Sequence, residues 1–185
     1  MEALLLSTLA VAIAEIGDKT QLLSLVLAAR YRRPWAICLG ILAATLLNHA
    51  LAGAFGMLIA QRLSPDALRW IIGLSFLAVA AWTLVPDKLD DEDALPTPGR
   101  GVFIATLVAW LIAEMGDKTQ VATVVLAAQH SPLWAVVVGT TIGMLLANVP
   151  VVFLGSRLAD RLPLRAARFS AAFLFAAMGL WMLLR

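Results

Sequence analysis

Two eight-residue stretches set charged side chains among leucines, isoleucines and alanines: AEIGDKTQ from Ala14 to Gln21 and AEMGDKTQ from Ala113 to Gln120. If an octet is helical, Glu15, Asp18 and Gln21 share one face, as do Glu114, Asp117 and Gln120, and Lys19 and Lys118 stand one turn from Glu15 and Glu114. Two pairs of carboxylates, with hydroxyl and amide oxygens from Thr20, Gln21, Thr119 and Gln120, make an all-oxygen ligand set. Such a set suits hard divalent cations, Ca2+, Mn2+ or Mg2+, over Zn2+ or Cu+. Met115 stands where the first octet has Ile16, and a thioether at the site would tilt selection toward Mn2+. Gly17 and Gly116 lie between the acids, where a missing Cβ permits either close helix approach or local unwinding that frees backbone carbonyls. Both alternatives stay open from sequence.

The surroundings make these charges expensive. The chain has 185 residues, 62% of them hydrophobic and only 14% charged, with mean hydropathy +0.90. Apolar runs at Leu4–Ala29, Trp35–Ala60, Leu68–Val85, Val102–Ala128, Leu133–Leu154 and Ala166–Leu184 match the roughly 18 to 20 residues that a helix needs to cross a bilayer. The expected fold is an all-α integral membrane protein with six transmembrane helices. The first run is expected to be retained rather than cleaved as a secretory signal, because it follows Glu2 and no Lys or Arg. A charge at membrane depth costs at least about 2.5–3.5 kcal/mol on insertion scales, so the octets mark an ion or proton route. A Glu15–Lys19 pair, repeated as Glu114–Lys118, that merely locks helices would leave Asp18 and Asp117 without a purpose.

Sliding the chain against itself by 99 residues superposes the octets and, without a gap, makes 28 of 86 aligned positions identical, among them Trp35 with Trp134, Gly40 with Gly139 and Trp82 with Trp181. The chain is therefore a three-helix unit repeated once, with residues 1–86 and 100–185 as the units and 87–99 as an acidic linker. An odd number of spans per unit inverts the second relative to the first. Connections after the first, third and fifth spans carry nine cations (Arg30, Arg32, Arg33, Lys88, Arg100, Arg157, Arg161, Arg165, Arg168) against Arg62, Arg69 and Arg185 on the other side. That bias puts both termini outside and the linker in the cytoplasm. These cations account for the formal net charge of +2 as topology signals, and no nucleic-acid partner is expected.

Polar residues recur one span after each octet: Asn48 and His49 in the first unit, Asn148 in the second. They are candidate outer ligands or proton-relay groups; for His49 a hydrogen-bonded helix contact competes with that role. Pro150 is placed to kink the fifth span. Gly139 and Gly143 form a small-xxx-small pattern, read as packing within the bundle with a homodimer seam as the alternative. Trp35, Trp82, Trp134 and Trp181 read as interfacial anchors. Cys38, the single cysteine, excludes an internal disulfide and a thiolate metal site and is expected as a small buried apolar residue.

The duplicated E-x-G-D-K-T resembles the signature of the Golgi-type calcium/manganese–proton exchangers and their bacterial manganese exporters, a family with two E-x-G-D-[KR]-[ST] motifs in an inverted three-plus-three arrangement. The resemblance covers essentially the whole chain. It implies that the cation-handling acids are Glu15, Asp18, Glu114 and Asp117, with Lys19, Thr20, Gln21, Lys118, Thr119, Gln120, Asn48, His49 and Asn148 in support. It further implies exchange of a divalent cation for protons, with Mn2+ export the leading expectation and Ca2+ the alternative. The short linker and the lack of an N-terminal extension suggest a bacterial inner-membrane form. No resident cofactor is expected, since the metal is cargo. A passive cation channel and an intramembrane metal-dependent enzyme are the rival readings; the enzyme lacks a nucleophile with a matched base.

Overall fold

A computed structural model describes residues 1–85, 101–155 and 164–185, all helix, caps and short turns. The linker expected at 87–99, with Lys88, Arg100, Arg157 and Arg161, lies outside the described residues. Eight helices are described: α1 (Glu2–Glu15), α2 (Lys19–Tyr31), α3 (Pro34–Arg62), α4 (Pro65–Thr83), α5 (Val102–Glu114), α6 (Lys118–Gln129), α7 (Leu133–Leu154) and α8 (Leu164–Leu184). Four are long and apolar enough to cross a membrane: α3, α4, α7 and most of α8. The first and fourth expected spans are not continuous helices. Each breaks inside its octet, giving α1 and α2 of 14 and 13 residues and α5 and α6 of 13 and 12.

Local chemistry sets these boundaries. Pro34 and Pro65 open α3 and α4, where a missing N–H costs nothing. The Ser64 hydroxyl accepts the Ala67 N–H at the start of α4. Pro150 lies inside α7, which runs through it to Leu154.

Helices meet where side chains are small. A Cβ on Gly139 would lie 2.6 Å from the Leu4 carbonyl oxygen and one on Gly143 2.6 Å from that of Thr8, so α7 packs against α1 almost backbone to backbone. The pattern read as bundle packing or a dimer seam thus serves packing inside the bundle. Gly40 brings α3 against Phe103 and Thr106 of α5 in the same way. Gly73 and Gly179 join α4 to α8, with Phe76 stacked on Phe175 at 6.1 Å. Cys38 is only partly buried, against the cluster that contains Ile37, Ile41 and Trp110.

Polarity runs opposite to that of a soluble domain. Leu5, Leu51, Phe55, Trp70 and Phe173 are exposed, whereas Glu15, Asp18, Glu114, Asp117, Lys118, Asn48 and Asn148 are buried. An apolar exterior around a charged interior is the arrangement that a bilayer selects. Trp35, Trp82, Trp134 and Trp181 are all exposed, as interfacial anchors require.

Candidate cation site

Both octets fold as helix breaks rather than helix faces. Glu15 is the last residue of α1, Gly17 takes φ 83°, and Asp18 opens α2 as its N-cap. Glu114, Gly116 with φ 76°, and Asp117 repeat this between α5 and α6. That left-handed backbone suits glycine, and a Cβ on Gly116 would meet nothing within 4 Å. Of the two alternatives left open by the sequence, unwinding is the one realised at Gly116.

The breaks are held by their own glutamines. Gln21 Oε1 accepts the Gly17 N–H at 2.9 Å, and Gln120 Oε1 accepts the Gly116 N–H at 2.7 Å. Gln21 Nε2 also donates to the Ala147 carbonyl at 3.1 Å. The two amide oxygens expected among the ligands are therefore engaged with backbone. Asp18 Oδ2 accepts the Thr20 N–H at 3.4 Å and Asp117 Oδ2 the Thr119 N–H at 3.5 Å, capping the second half-helices.

Glu15, Asp18 and Asp117 converge: each offers a carboxylate oxygen, and these oxygens lie within 4.8 Å of one another with all three side chains buried. Oxygens so spaced can close on a divalent ion at about 2.0–2.6 Å after a small inward shift. Glu15 Oε2 accepts the Thr20 hydroxyl and, at 3.5 Å, Asn148 Nδ2. Its Oε1 is buried without a hydrogen-bond partner, an orphaned acceptor that a cation or proton would satisfy. Glu114, the fourth expected acid, is held differently. Its Oε1 accepts Trp110 Nε1 at 2.6 Å and the Thr45 hydroxyl at 3.1 Å, and its Oε2 accepts Asn48 Nδ2 at 2.9 Å.

The lysines pair across the repeat. Lys118 reaches Asp18 Oδ1, and Lys19 reaches Asp117 Oδ1 at 3.7 Å. The ion pairs thus join a lysine of one octet to the aspartate of the other, where the sequence had paired each lysine with the glutamate of its own octet. Thr119 donates its hydroxyl to Asp117 Oδ2 at 3.1 Å.

Other expected residues divide. Asn48 and Asn148 each reach a glutamate of the other repeat. His49 is buried, but its Nδ1 makes no hydrogen bond, so the helix contact expected of it is not made through that atom. Met115 is 68% exposed, unlike the buried acids, which argues against its thioether as a ligand. The buried thioether is instead Met144, whose Sδ lies 3.2 Å from Asn148 Nδ2. Thr45, Trp110, Met144 and Ser24, whose hydroxyl donates to Asn148 Oδ1 at 3.1 Å, are not singled out by the sequence. Helical spacing could have found three of them: Trp110 lies four residues before Glu114, Met144 four before Asn148 and Thr45 three before Asn48.

A charge-dense, oxygen-lined centre at two helix breaks within an apolar helical bundle defines an ion-handling membrane protein. The chain belongs to the family described as "Divalent cation/proton antiporter GDT1", whose model matches residues 3–91 and 102–185. It is 54% identical over 181 residues to a Vibrio cholerae protein described as a "Putative manganese exporter", covering 97% of this chain and 90% of that one. It is 28% identical over 185 residues to GDT1-like protein sll0615 of Synechocystis, covering 90% and 89%. With GDT1-like protein 5 of Arabidopsis thaliana it shares 25% identity over 209 residues, covering 93% and 91%. No solved structure matches it significantly. The chain is thus a transmembrane cation/proton antiporter and not an enzyme, which sets aside the rival reading of an intramembrane metal-dependent enzyme.

Proposed function

We propose that this chain exports Mn2+ across a bacterial inner membrane in exchange for protons, using Glu15, Asp18 and Asp117 as the cation ligands and Glu114 as the fourth acid of the site. The convergence of three buried carboxylates from two helix breaks carries the reading, and the bacterial relative described as a manganese exporter supports the metal. Each broken pair, α1 with α2 and α5 with α6, acts as one span, so six spans form two inverted three-helix repeats with both termini outside. The helix boundaries support this repeat: α5, α6, α7 and α8 start within a residue of 99 positions after α1, α2, α3 and α4. Alternating access then exposes one shared site to each side in turn.

The test is transport by purified protein in liposomes carrying a pH step. Saturable accumulation of Mn2+ against its own gradient, collapsing when the pH step is dissipated, is the expected result. Metal flux that only runs downhill and does not saturate would make the protein a channel. Parallel assays with Ca2+ and Mg2+ rank the cargo.

A further inference from the structure

We propose that Lys118 is a tethered counter-ion: its ammonium holds the cation position on Asp18 while the site is empty, and the incoming divalent ion displaces it. This rests on the reading of Glu15, Asp18 and Asp117 as cation ligands. The Lys118 side chain is only 2% exposed, and its ammonium sits on Asp18 Oδ1, on one of the three converging carboxylates. It gets there from the other octet, since Lys118 is the first residue of α6 and Asp18 caps α2.

The repeat supplies a second view of the same side chain. Lys19 faces Asp117 Oδ1 at 3.7 Å and is 23% exposed, so one lysine is inserted and its counterpart is partly withdrawn. A lysine suits this exchange: a compact positive charge with three donors on a flexible four-carbon stem can fill a gap among carboxylates and retreat from it. A divalent ion on an Asp18 oxygen would stand within a few ångströms of that ammonium, and like charges at such distance in a dry interior repel strongly. One of the two must leave. The lysine is covalently held, so it withdraws toward a partly exposed position such as the one Lys19 holds.

The consequence is an internal competitor. Metal binds only the fraction of molecules whose lysine has withdrawn, and the apparent affinity falls by that fraction. A tenfold cost follows if one molecule in ten is withdrawn. In return, the empty carrier does not hold three uncompensated carboxylates together.

Wild-type protein decides the matter without any variant. Purified protein in detergent is treated with an amine-acylating N-hydroxysuccinimide ester across a Mn2+ titration; acylation at Lys118 is quantified by peptide mass spectrometry and bound Mn2+ by equilibrium dialysis of the same samples. Acylation of Lys118 is expected to rise several-fold and to saturate in step with bound Mn2+. Labelling that stays constant or falls while Mn2+ binds overturns the displacement and leaves the cation site standing. Absence of Mn2+ binding overturns the site reading and this inference with it. As a second arm, Lys118→Gln is expected to bind Mn2+ at least about tenfold more tightly while its pH-driven exchange drops; Lys118→Gln binding no tighter than wild type also overturns the proposal.

Discussion

Asp18 does two jobs with its two oxygens, capping α2 through the Thr20 N–H and holding the Lys118 ammonium. Asp18→Asn is therefore expected to abolish transport and to destabilise the protein by about 3–5 kcal/mol, the cost of breaking a buried ion pair from one side. Asp18→Asn combined with Lys118→Gln should regain much of the stability and none of the transport; thermal unfolding in detergent and metal uptake measured side by side separate the effects. Wild-type uptake by the Asp18→Asn protein would remove Asp18 from the site. Glu114 depends on neutral donors instead. Trp110→Phe deletes the 2.6 Å donor to its Oε1, and a hydrogen bond to a charged group is worth about 1.5–3 kcal/mol. A melting temperature unchanged by Trp110→Phe would mean that the bond contributes nothing. Met115, 68% exposed, should be replaceable by Ile with no change in the Mn2+/Ca2+ transport ratio, and a lowered ratio would bring its sulfur back into the site.

Glycine serves the helices in two separable ways. At Gly116 the need is conformational, since φ is 76° and a Cβ would meet nothing within 4 Å. Gly116→Ala should cost about 1–2 kcal/mol from left-handed backbone alone, and it favours running α5 into α6, which would pull Glu114 and Asp117 out of register. At Gly143 the need is space: a Cβ would lie 2.6 Å from the Thr8 carbonyl oxygen, and overpacking of about 1–3 kcal/mol follows as α1 is pushed away. If both substitutions leave thermal stability and metal uptake untouched, neither account holds. These elements also show what the sequence could disclose. The repeat, the apolar runs and the four acids are visible because a 99-residue offset and hydropathy are properties of the sequence itself. The break is not, because a glycine between Glu15 and Asp18 is equally compatible with a continuous helix. Once the helix is assumed unbroken, Lys19 is assigned to Glu15 and the amides of Gln21 and Gln120 are assigned to the metal. The crossed lysine pairs and the glutamine-held turns arise only when half-helices from opposite repeats come face to face.

At the scale of the whole molecule the two repeats are alike in sequence and unequal in packing. The α4–α8 pair leans on α6 and α1 more than on α2 and α5 among the described residues, the asymmetry expected of one state if access alternates as proposed. Charge decides which states can interchange. On the proposed function the site comprises Glu15, Asp18, Glu114 and Asp117 against Lys19 and Lys118, so with every group ionised its formal charge is four negative and two positive, a net of two negative. One divalent cation brings that to zero, and so do two protons. Both loaded forms would then reorient without carrying net charge through the membrane field, which costs about 2.3 kcal/mol per charge per 100 mV. The bare form, two charges short of neutral and desolvated, would be the one that cannot turn over, and the two fluxes would be coupled with little leak. The hypothesis is thus electroneutral exchange of one divalent cation for two protons, with both lysines charged throughout. Liposomes with a fixed pH step and a potassium diffusion potential varied by valinomycin give the test, read as the metal distribution at equilibrium. The expected distribution is the same at every potential. A tenfold shift per roughly 59 mV would signal one net charge moved per cycle, since that potential is worth about 1.4 kcal/mol per charge, and would rule out two-for-one exchange.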